Sequence, residues 1–367
     1  MKPLFKYTGG KYREYKYIKD KMPEVINNYY EPFVGGGGVL FRLNEENKVQ
    51  GKNFINDNSK ILMDFYSCVG SEDFQRELGE VVSAWYAIKI YSEFMARFYD
   101  EKFFDFILRK IDEKNFVNDE MAEVVSIYCA SIKYNTHGFS LKDKIIESLN
   151  DKAKRFSKKD ISIEEKDVPY KAIRTAMHQA LYFVIRDMYN EWNNGHGEYT
   201  MEEKCAQWFF IREFCFGSMF RFGPNGNFNV PYGGFDYNDK NFDEKVDLIF
   251  SDEAKFLKDN TEAFCMDFSD FLLKFNYGEN DFIFLDPPYD STFSDYDGNS
   301  LTREDHVRLA NVLKSINCKW MMAIGKTDFI ADLYKDFHVL EYDKTYAYQA
   351  RGEYDNKHTT HLLITNY

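Results

Sequence analysis

The sequence predicts an open α/β sheet that is built from both ends of the chain, with a large helical insertion between its second and third strands. Short apolar runs bounded by turn residues are typical of buried strands in a parallel sheet. Two such runs lie in the first 60 residues and five lie after residue 260. Between them, apolar residues recur at intervals of three and four, which indicates helices.

The elements follow from these patterns in chain order. The predicted strands are Tyr29–Val34, Asn53–Ile55, Ala263–Met266, Phe282–Leu285, Trp320–Ile324, Phe337–Glu341 and Leu362–Thr365. The predicted helices are Phe74–Ile90, Glu120–Lys133, Lys171–Trp192 and Glu202–Phe214. The charged stretch Leu141–Val168 is interpreted as a solvated helix and loop, with a phosphate-contacting segment as the alternative. We therefore expect one domain formed by residues 1–65 and 246–367 and an inserted helical domain formed by residues 66–245.

Composition narrows the class of protein. The chain has 367 residues, of which 44% are hydrophobic and 29% charged, which excludes disorder over most of its length. No stretch approaches the roughly 18 apolar residues of a membrane helix. The six cysteines show no CxxC spacing, and the N-terminal residues lack the apolar core of a secretory signal. We expect a protein without metal or membrane attachment in a reducing cytoplasm.

A glycine-rich loop follows the first predicted strand. Residues 31–41 read Glu-Pro-Phe-Val-Gly-Gly-Gly-Gly-Val-Leu-Phe, and the loop opens a helix. Glycine permits a tight turn and close approach of a ligand to the backbone. The spacing of Phe33, Gly35 and Gly37 is not the GxGxxG dinucleotide pattern, and no Walker lysine is present. Asp57 follows the second strand about 20 residues later, which suits either hydrogen bonding to ribose hydroxyls or capping of the next helix.

The segment Asp286-Pro287-Pro288-Tyr289 directly follows a buried strand. Two prolines remove two backbone donors and fix φ, so this loop is rigid. It brings together one carboxylate, one free carbonyl and one aromatic ring, which suits a planar base with an exocyclic amino group. Asp286 and the Pro287 carbonyl can each accept one N–H of that group, which concentrates electron density on the nitrogen as it meets an electrophile. This chemistry requires no metal and no separate strong base.

Five short motifs occur in order along the chain: 7–11 (Tyr-Thr-Gly-Gly-Lys), 31–37 (Glu-Pro-Phe-Val-Gly-Gly-Gly), 55–58 (Ile-Asn-Asp-Asn), 221–233 (Arg-Phe-Gly-Pro-Asn-Gly-Asn-Phe-Asn-Val-Pro-Tyr-Gly) and 286–289 (Asp-Pro-Pro-Tyr). With this set the sequence resembles the DNA adenine methyltransferase (Dam) family, whose members methylate the N6 amino group of adenine with S-adenosylmethionine. In the matching family arrangement, the DNA-recognition domain lies between the glycine motif and the Asp-Pro-Pro-Tyr motif. The resemblance implies a Rossmann-like class I methyltransferase sheet, S-adenosylhomocysteine as product, and restriction-modification as a setting.

The resemblance also implies a cofactor site. Tyr7 would pack against S-adenosylmethionine and Lys11 would meet its polar end. Phe33, Gly35 and Gly37 would cradle its methionine portion. Without the motif, Tyr7 would be an ordinary half-buried aromatic residue and Lys11 a surface charge.

The remaining implied roles fall on acidic residues and the catalytic tyrosine. Asp57 would hold the ribose hydroxyls, and Asp267 would bond the cofactor's adenine unless it is only a helix cap. Asp286 would lie between the methyl donor and the target. Tyr289 would stack on the adenine, which must be flipped out because its amino group is paired inside the duplex.

The segment 221–233 is predicted to be a hairpin with Asn225-Gly226 at its turn. The resemblance implies that it enters double-stranded DNA. Arg221 could contact a phosphate or a guanine edge, or form a structural ion pair. Phe216 and Phe220 could wedge into a base step or pack in a core. Asn225 and Asn229 are further candidate DNA contacts. The family often has Asn-Gly before this arginine and a shorter insert, so its GATC target is not carried over to this chain.

Other functions share parts of this pattern. Methylation of RNA or single-stranded adenine would use the same catalytic loop, although the hairpin favours duplex DNA. Protein glutamine methylation uses Asn in place of Asp286, and cytosine N4 methylation more often uses Ser. A silent DNA-binding module would not need Asp286-Pro287-Pro288-Tyr289. We expect an active enzyme that is a monomer or weak dimer.

The net charge of −13 would by itself argue against a nucleic-acid partner. However, residues 236–305 contain 19 acidic and 6 basic residues, so this stretch accounts for the whole excess. The first 21 residues contain 7 basic and 2 acidic residues. We therefore expect phosphate contacts from the N-terminal segment and the helical insertion, with the acidic stretch facing away from DNA.

Overall fold

The computed structural model describes residues 2–5, 7, 10–109, 114–159, 165, 167–290, 301–345 and 358–367. Of the motif at 7–11, Thr8 and Gly9 lie outside the described residues. The chain divides into two compact units. The sheet unit comprises Met1–Gly70 and Ile249–Tyr367, and the helical unit comprises Ser71–Leu248.

The sheet unit is built on seven strands in the order β3-β2-β1-β4-β5-β7-β6. They are β1 Tyr29–Glu31, β2 Asn53–Asn56, β3 Thr261–Phe264, β4 Phe282–Leu285, β5 Lys319–Gly325, β6 His338–Thr345 and β7 His358–Thr365. Strands β1 to β5 pair in parallel. Strand β7 runs antiparallel between β5 and β6.

All seven predicted strands are present, but two are not buried as expected. Strands β1 and β4 are buried along their whole length. Strand β3 lies at one edge of the sheet and β6 at the other, and each exposes side chains such as Glu262 and Leu340. An apolar run does not distinguish a central strand from an edge strand, because both need one packed face. Strand β1 also ends at Glu31, three residues before the predicted end, since Pro32 starts the turn.

Short helices cover the sheet. They are α1 Tyr15–Ile18, α2 Gly38–Glu45, α3 Lys60–Cys68, α10 Asp252–Asp259, α11 Phe268–Leu273, α12 Arg303–Lys314 and α13 Asp328–Leu333. Their packed faces contribute Phe271, Leu309 and Ile330 to a core that also contains Trp320 and Ile283 from the strands. This core fixes the strand ends that carry the polar residues described below.

The helical unit contains long helices where the sequence predicted them. They are α4 Glu72–Ile107, α5 Asp119–Ser131, α6 Leu141–Phe156, α7 Val168–Asn193 and α8 Met201–Phe214, followed by α9 Asp243–Ile249 at the boundary of the units. Helix α4 begins at a Ser71 cap, whose side chain accepts a hydrogen bond from the Phe74 amide. Helix α7 buries fifteen of its residues and forms the centre of the unit.

Helix α6 occupies the charged stretch that was interpreted as a solvated helix and loop. It is a helix, and it buries one face made of Leu141, Ile145, Leu149 and Ala153. Much of the following loop, including Asp160, lies outside the described residues. No helix in the described part of the chain is both long and apolar enough to cross a membrane.

The segment 221–233 folds back on itself in the helical unit. Antiparallel bridges join Phe222 to Phe228 and Cys215 to Tyr232. Gly226 adopts a φ of 78°, and its amide donates to the Gly223 carbonyl at 2.9 Å. The reversal therefore falls at the predicted Asn-Gly position.

Candidate active site

The glycine loop joins β1 to α2 at the carboxyl edge of the sheet. Gly35 and Gly37 have φ values of 46° and 64°, in the left-handed region that favours glycine. A Cβ built on Gly37 would lie 2.8 Å from Phe41 Cε2, so this position also lacks room for a side chain. The loop therefore turns sharply at the start of a helix, with little room for side chains at its glycines.

Tyr7 and Phe33 flank this loop. A Cβ built on Gly36 would lie 2.5 Å from Tyr7 Cβ, so Tyr7 packs directly on the glycines. The Phe33 ring lies 5.5 Å from the Phe268 ring, and Phe33 is half-buried. Both candidate cofactor residues are thus beside the glycine loop.

Asp57 follows β2 and hydrogen-bonds the loop itself. One carboxylate oxygen accepts from the Gly35 amide at 3.1 Å and the other from the Ser59 amide at 3.0 Å. Asp57 therefore helps to shape the loop, a contact that the sequence did not reveal.

Asn56 is a site residue that sequence reasoning missed. It is buried, and its side-chain amide donates to the carbonyls of Pro32 and Met266 at 3.1 and 3.0 Å. Its oxygen accepts from the Met266 amide at 3.0 Å. Asn56 thus ties together the chain segments that leave β1, β2 and β3. The signals in the sequence were its place directly after a predicted strand and within the motif at 55–58.

Asp267 follows β3 and caps α11, accepting a hydrogen bond from the Ser269 amide at 2.8 Å. It also forms a two-pronged ion pair with Arg308, at 2.7 and 2.9 Å. Despite partial burial, these hydrogen bonds lower the pKa of Asp267 below its ordinary value. The capping alternative is therefore present in the structure.

Lys11 joins the two polar residues of the Asp286–Tyr289 loop. Its ammonium lies 2.6 Å from Asp286 Oδ1 and 2.7 Å from the Tyr289 hydroxyl. The Lys11 side chain is only 2% exposed, and that of Asp286 is 19% exposed. Burial by itself lowers the pKa of Lys11, but the charges of Asp286 and Glu14 outweigh burial and raise it. Lys11 is consequently a buried cation. It was predicted to be a cofactor contact, and it is also bonded to the Asp286–Tyr289 loop.

Glu31 brings a second carboxyl group to this edge. It is buried and accepts a hydrogen bond from the Tyr29 hydroxyl at 2.9 Å. Burial raises the pKa of Glu31 well above its ordinary value, and the negative charges of Asp286 and Asp57 add to this effect. Glu31 is the first residue of the motif at 31–37, but the sequence indicated no role for it.

Tyr289 packs against the sheet beyond Pro287 and Pro288. A Cβ built on Gly325 would lie 3.4 Å from Tyr289 Cδ2, so the ring covers β5 at a glycine. The buried His361 of β7 meets the Tyr289 ring edge to face, with 5.4 Å between the ring centres. The orientation of Tyr289 is thus set by Lys11 on one side and His361 on another.

The candidate DNA contacts of the helical unit separate into two kinds. Phe216 is 43% exposed, whereas Phe220 is 7% exposed and packs on Trp208, Phe228 and Arg212. For Phe220 the structure therefore favours packing in a core over insertion into a base step.

The polar candidates in this segment lie at the surface. Arg221 is exposed, and its Nε donates to Asn229 Oδ1 at 3.4 Å. Asn225 Oδ1 accepts from the Asn227 amide at 3.2 Å and shapes the turn. Among the described residues, Arg221 is held by the Asn229 amide and forms no ion pair with a carboxylate.

The described residues include potential metal ligands and all six cysteines. In the described ranges, no group of three or more His, Cys, Asp or Glu side chains is arranged to hold a metal ion. The six cysteines have free thiols.

The fold and the site define a class of protein. The mixed α/β fold of this chain, with its seven-strand sheet, is consistent with a class I methyltransferase fold. The chain matches the D12 class N6 adenine-specific DNA methyltransferases over residues 7–143 and 104–348. It belongs to this family, and it is an adenine-specific DNA methyltransferase.

Individual relatives agree with this assignment. The chain is 28% identical to the type II methyltransferase M.CviBI of Paramecium bursaria Chlorella virus NC1A over 372 residues, which cover 100% of each chain. It is 25% identical to the type II methyltransferase M.MjaIII of Methanocaldococcus jannaschii, over 100% of this chain and 99% of the relative. It is 28% identical to the retron Ec67 DNA adenine methylase of Escherichia coli over 165 residues, which cover 44% of this chain and 54% of the relative.

Proposed function

We propose that this enzyme transfers a methyl group from S-adenosylmethionine to the N6 amino group of an adenine flipped out of duplex DNA. The observation that supports this most strongly is the fixed group of Asp286, Lys11 and Tyr289 at the carboxyl end of β4. Ligands of open α/β sheets bind at this edge. Alternatives that act on RNA, protein glutamine or cytosine are disfavoured by the family to which the chain belongs.

The residues of the sheet unit fit S-adenosylmethionine. Gly35 and Gly37 form a tight turn with positive φ, Tyr7 packs beside Gly35, and Phe33 offers an apolar wall. Asp57 presents carboxylate oxygens at the end of β2, where ribose hydroxyls are bound in such sheets. When bound, S-adenosylmethionine supplies an electron-poor methyl group carried on a sulfonium. We further propose that Asp267, although paired with Arg308, contacts the adenine of the cofactor.

The chain's own residues would then activate the target amino group. Lys11 binds one oxygen of Asp286. Asp286 and the Pro287 carbonyl would accept the two N–H groups of the target, which would orient its lone pair. Lys11 and His361 hold the Tyr289 side chain in place. Its ring would stack on the flipped base. With the donor bound, the amino nitrogen would take the methyl group from the sulfur, and Asp286 would accept the proton that the nitrogen gives up and pass it to water.

We propose that the helical unit reads the DNA through residues 216–229. The exposed Phe216 is suited to enter a base step, and the exposed Arg221 is suited to a phosphate or a guanine edge. Asn225 and Asn229 would hold the turn that carries these contacts. By analogy with the relatives named as type II methyltransferases, the enzyme would serve a restriction-modification system in a cytoplasm, as a monomer or weak dimer.

The test is methylation by the purified protein with S-adenosylmethionine and matched duplex DNA, single-stranded DNA or RNA. We expect N6-methyladenine in the duplex, with long-read modification mapping giving one recurring sequence. N4-methylcytosine as the product, or a preference for RNA, would contradict the proposal.

A further inference from the structure

Glu14 is a buried carboxylate near the Lys11 motif in sequence, and it belongs to none of the motifs. It stands three residues after Lys11, at the cap of α1, and is 6% exposed. A carboxylate in such a place is costly unless it is paired or hydrogen-bonded. Its partners therefore indicate what the carboxylate is for.

The partners of Glu14 come from the two antiparallel strands at the far end of the sequence. The Tyr342 hydroxyl of β6 donates to Glu14 Oε2 at 3.3 Å. His361 Nδ1 of β7 lies 3.9 Å from the same oxygen. The rings of Tyr342 and His361 are themselves 5.5 Å apart. Glu14 is thus attached to the sheet through two aromatic side chains.

These residues connect Glu14 to the Asp286–Tyr289 loop through a series of contacts. His361 meets Tyr289 edge to face, and Tyr289 bonds Lys11, which bonds Asp286. The Glu14 charge is among those that keep Lys11 protonated against the effect of burial. Lys11 consequently bonds Asp286 directly and is also stabilised as a cation by the charge of Glu14.

We propose that Glu14 is a positioning residue, which, with Tyr342 and His361, fixes the Lys11 ammonium against Asp286 and Tyr289. It acts through Lys11 and does not touch the target base. Without Glu14, burial would favour loss of the Lys11 proton or movement of its side chain. Asp286 would then lose the hydrogen bond that holds one of its oxygens. Tyr289 would lose the hydrogen bond that holds its hydroxyl. This inference rests on the proposed catalytic roles of Asp286 and Tyr289.

The experiment is single-turnover methyl transfer by Glu14→Gln, a variant that keeps the side-chain length and an acceptor for Tyr342 but removes the charge. We expect the transfer rate to fall about tenfold or more, since small misplacements of reacting groups are costly. The Kd for duplex DNA should stay near the wild-type value. Glu14→Asp should restore part of the rate, because it restores the charge.

The matched control is Glu46→Gln. Glu46 also accepts a tyrosine hydroxyl, that of Tyr15 at 2.8 Å, but it has no part in the catalytic loop. Its variant should transfer methyl groups at the wild-type rate. Equal losses in Glu14→Gln and Glu46→Gln would overturn the proposal.

Two further variants separate positioning from folding. Tyr342→Phe removes only the hydroxyl that donates to Glu14 and should lower the rate in the same direction with an unchanged melting temperature. In a Lys11→Met background, Glu14→Gln should have little further effect on rate or on melting temperature, because Glu14 acts through Lys11. A full effect of Glu14→Gln in that background, or none in wild type, would overturn the proposal. Asp286→Asn run beside them tells the two proposals apart: if it stays active, the catalytic roles are wrong as well.

Discussion

Lys11 is the residue on which the Asp286 carboxylate and the Tyr289 hydroxyl converge. A lysine that is almost fully buried is retained as a cation because Asp286 accepts its hydrogen bond at 2.6 Å. The arrangement leaves one oxygen of Asp286 directed away from Lys11. A single ammonium therefore sets both the orientation and the charge of the group that would receive the target adenine.

Replacement of Asp57 tests its proposed contact with the cofactor. Asp57→Asn should weaken S-adenosylmethionine binding by about tenfold to a hundredfold, since hydrogen bonds to a charged group contribute about 1.5–3 kcal/mol. Titration calorimetry measures this Kd directly. Asp64→Asn is the control, because Asp64 pairs only with the exposed Lys60 on the outside of α3. An unchanged Kd in Asp57→Asn would remove Asp57 from the cofactor site.

The sequence reveals Asp286, Tyr289, Asp57 and the glycines because each stands in a short local motif. It does not reveal the bond between Lys11 and Asp286, which are 275 residues apart. Likewise, nothing near Glu14 in the sequence indicates that His361 lies beside it. Local patterns predict which residues carry chemistry, whereas their mutual contacts depend on how distant strands are brought together.

At the scale of elements, the glycine loop is determined by its backbone. Gly37 occupies the cap position of α2 in the left-handed region and has no room for a Cβ. An L-residue in that region costs about 1–2 kcal/mol. The geometry of the loop therefore depends on glycine.

Gly37→Ala should lower the free energy of unfolding by at least about 1–2 kcal/mol and should also weaken S-adenosylmethionine binding. Gly79→Ala is the opposite control, because Gly79 lies inside α4 and a Cβ there meets nothing within 4 Å. That variant should gain about 0.4–1 kcal/mol. Denaturant unfolding of both variants checks the signs, and a stable Gly37→Ala would contradict the account of the loop.

The strands show what periodicity predicts and what it leaves out. All seven were predicted from apolar runs, yet β3 and β6 form the edges and β7 runs antiparallel between β5 and β6. Strand order and direction depend on pairing between strands that are remote in sequence, so no local pattern reports them. The same is true of the fold of α6, whose buried face the charged composition concealed.

At the scale of the whole molecule, the acidic stretch 236–305 contains several carboxylates that are already paired. Asp239 pairs with Arg174, Asp267 with Arg308 and Asp290 with Arg303. Part of the excess negative charge is thus compensated locally and does not act as a free repulsive surface. The net charge of the chain is consequently a poor guide to its affinity for DNA.

DNA affinity should fall steeply and linearly with the logarithm of salt concentration. If Arg221 contacts a phosphate, Arg221→Ala should reduce that slope by about 0.9. Fluorescence anisotropy over a salt series measures the slope. Arg76→Ala is the control, because this exposed arginine of the same unit is paired with Asp73 and Glu77. Identical slopes for wild type and Arg221→Ala would exclude the phosphate contact.

The most direct test of the whole account is the rate of N6-methyladenine formation by Asp286→Asn in a single turnover on duplex DNA. The variant keeps the shape of the side chain, so melting temperature and S-adenosylmethionine binding serve to show that it is folded. Asp290→Asn, four residues further along, is the matched control. We predict a loss of at least about a hundredfold in Asp286→Asn and a rate near that of wild type in Asp290→Asn. A folded Asp286→Asn that methylates adenine at the wild-type rate would contradict the central claim.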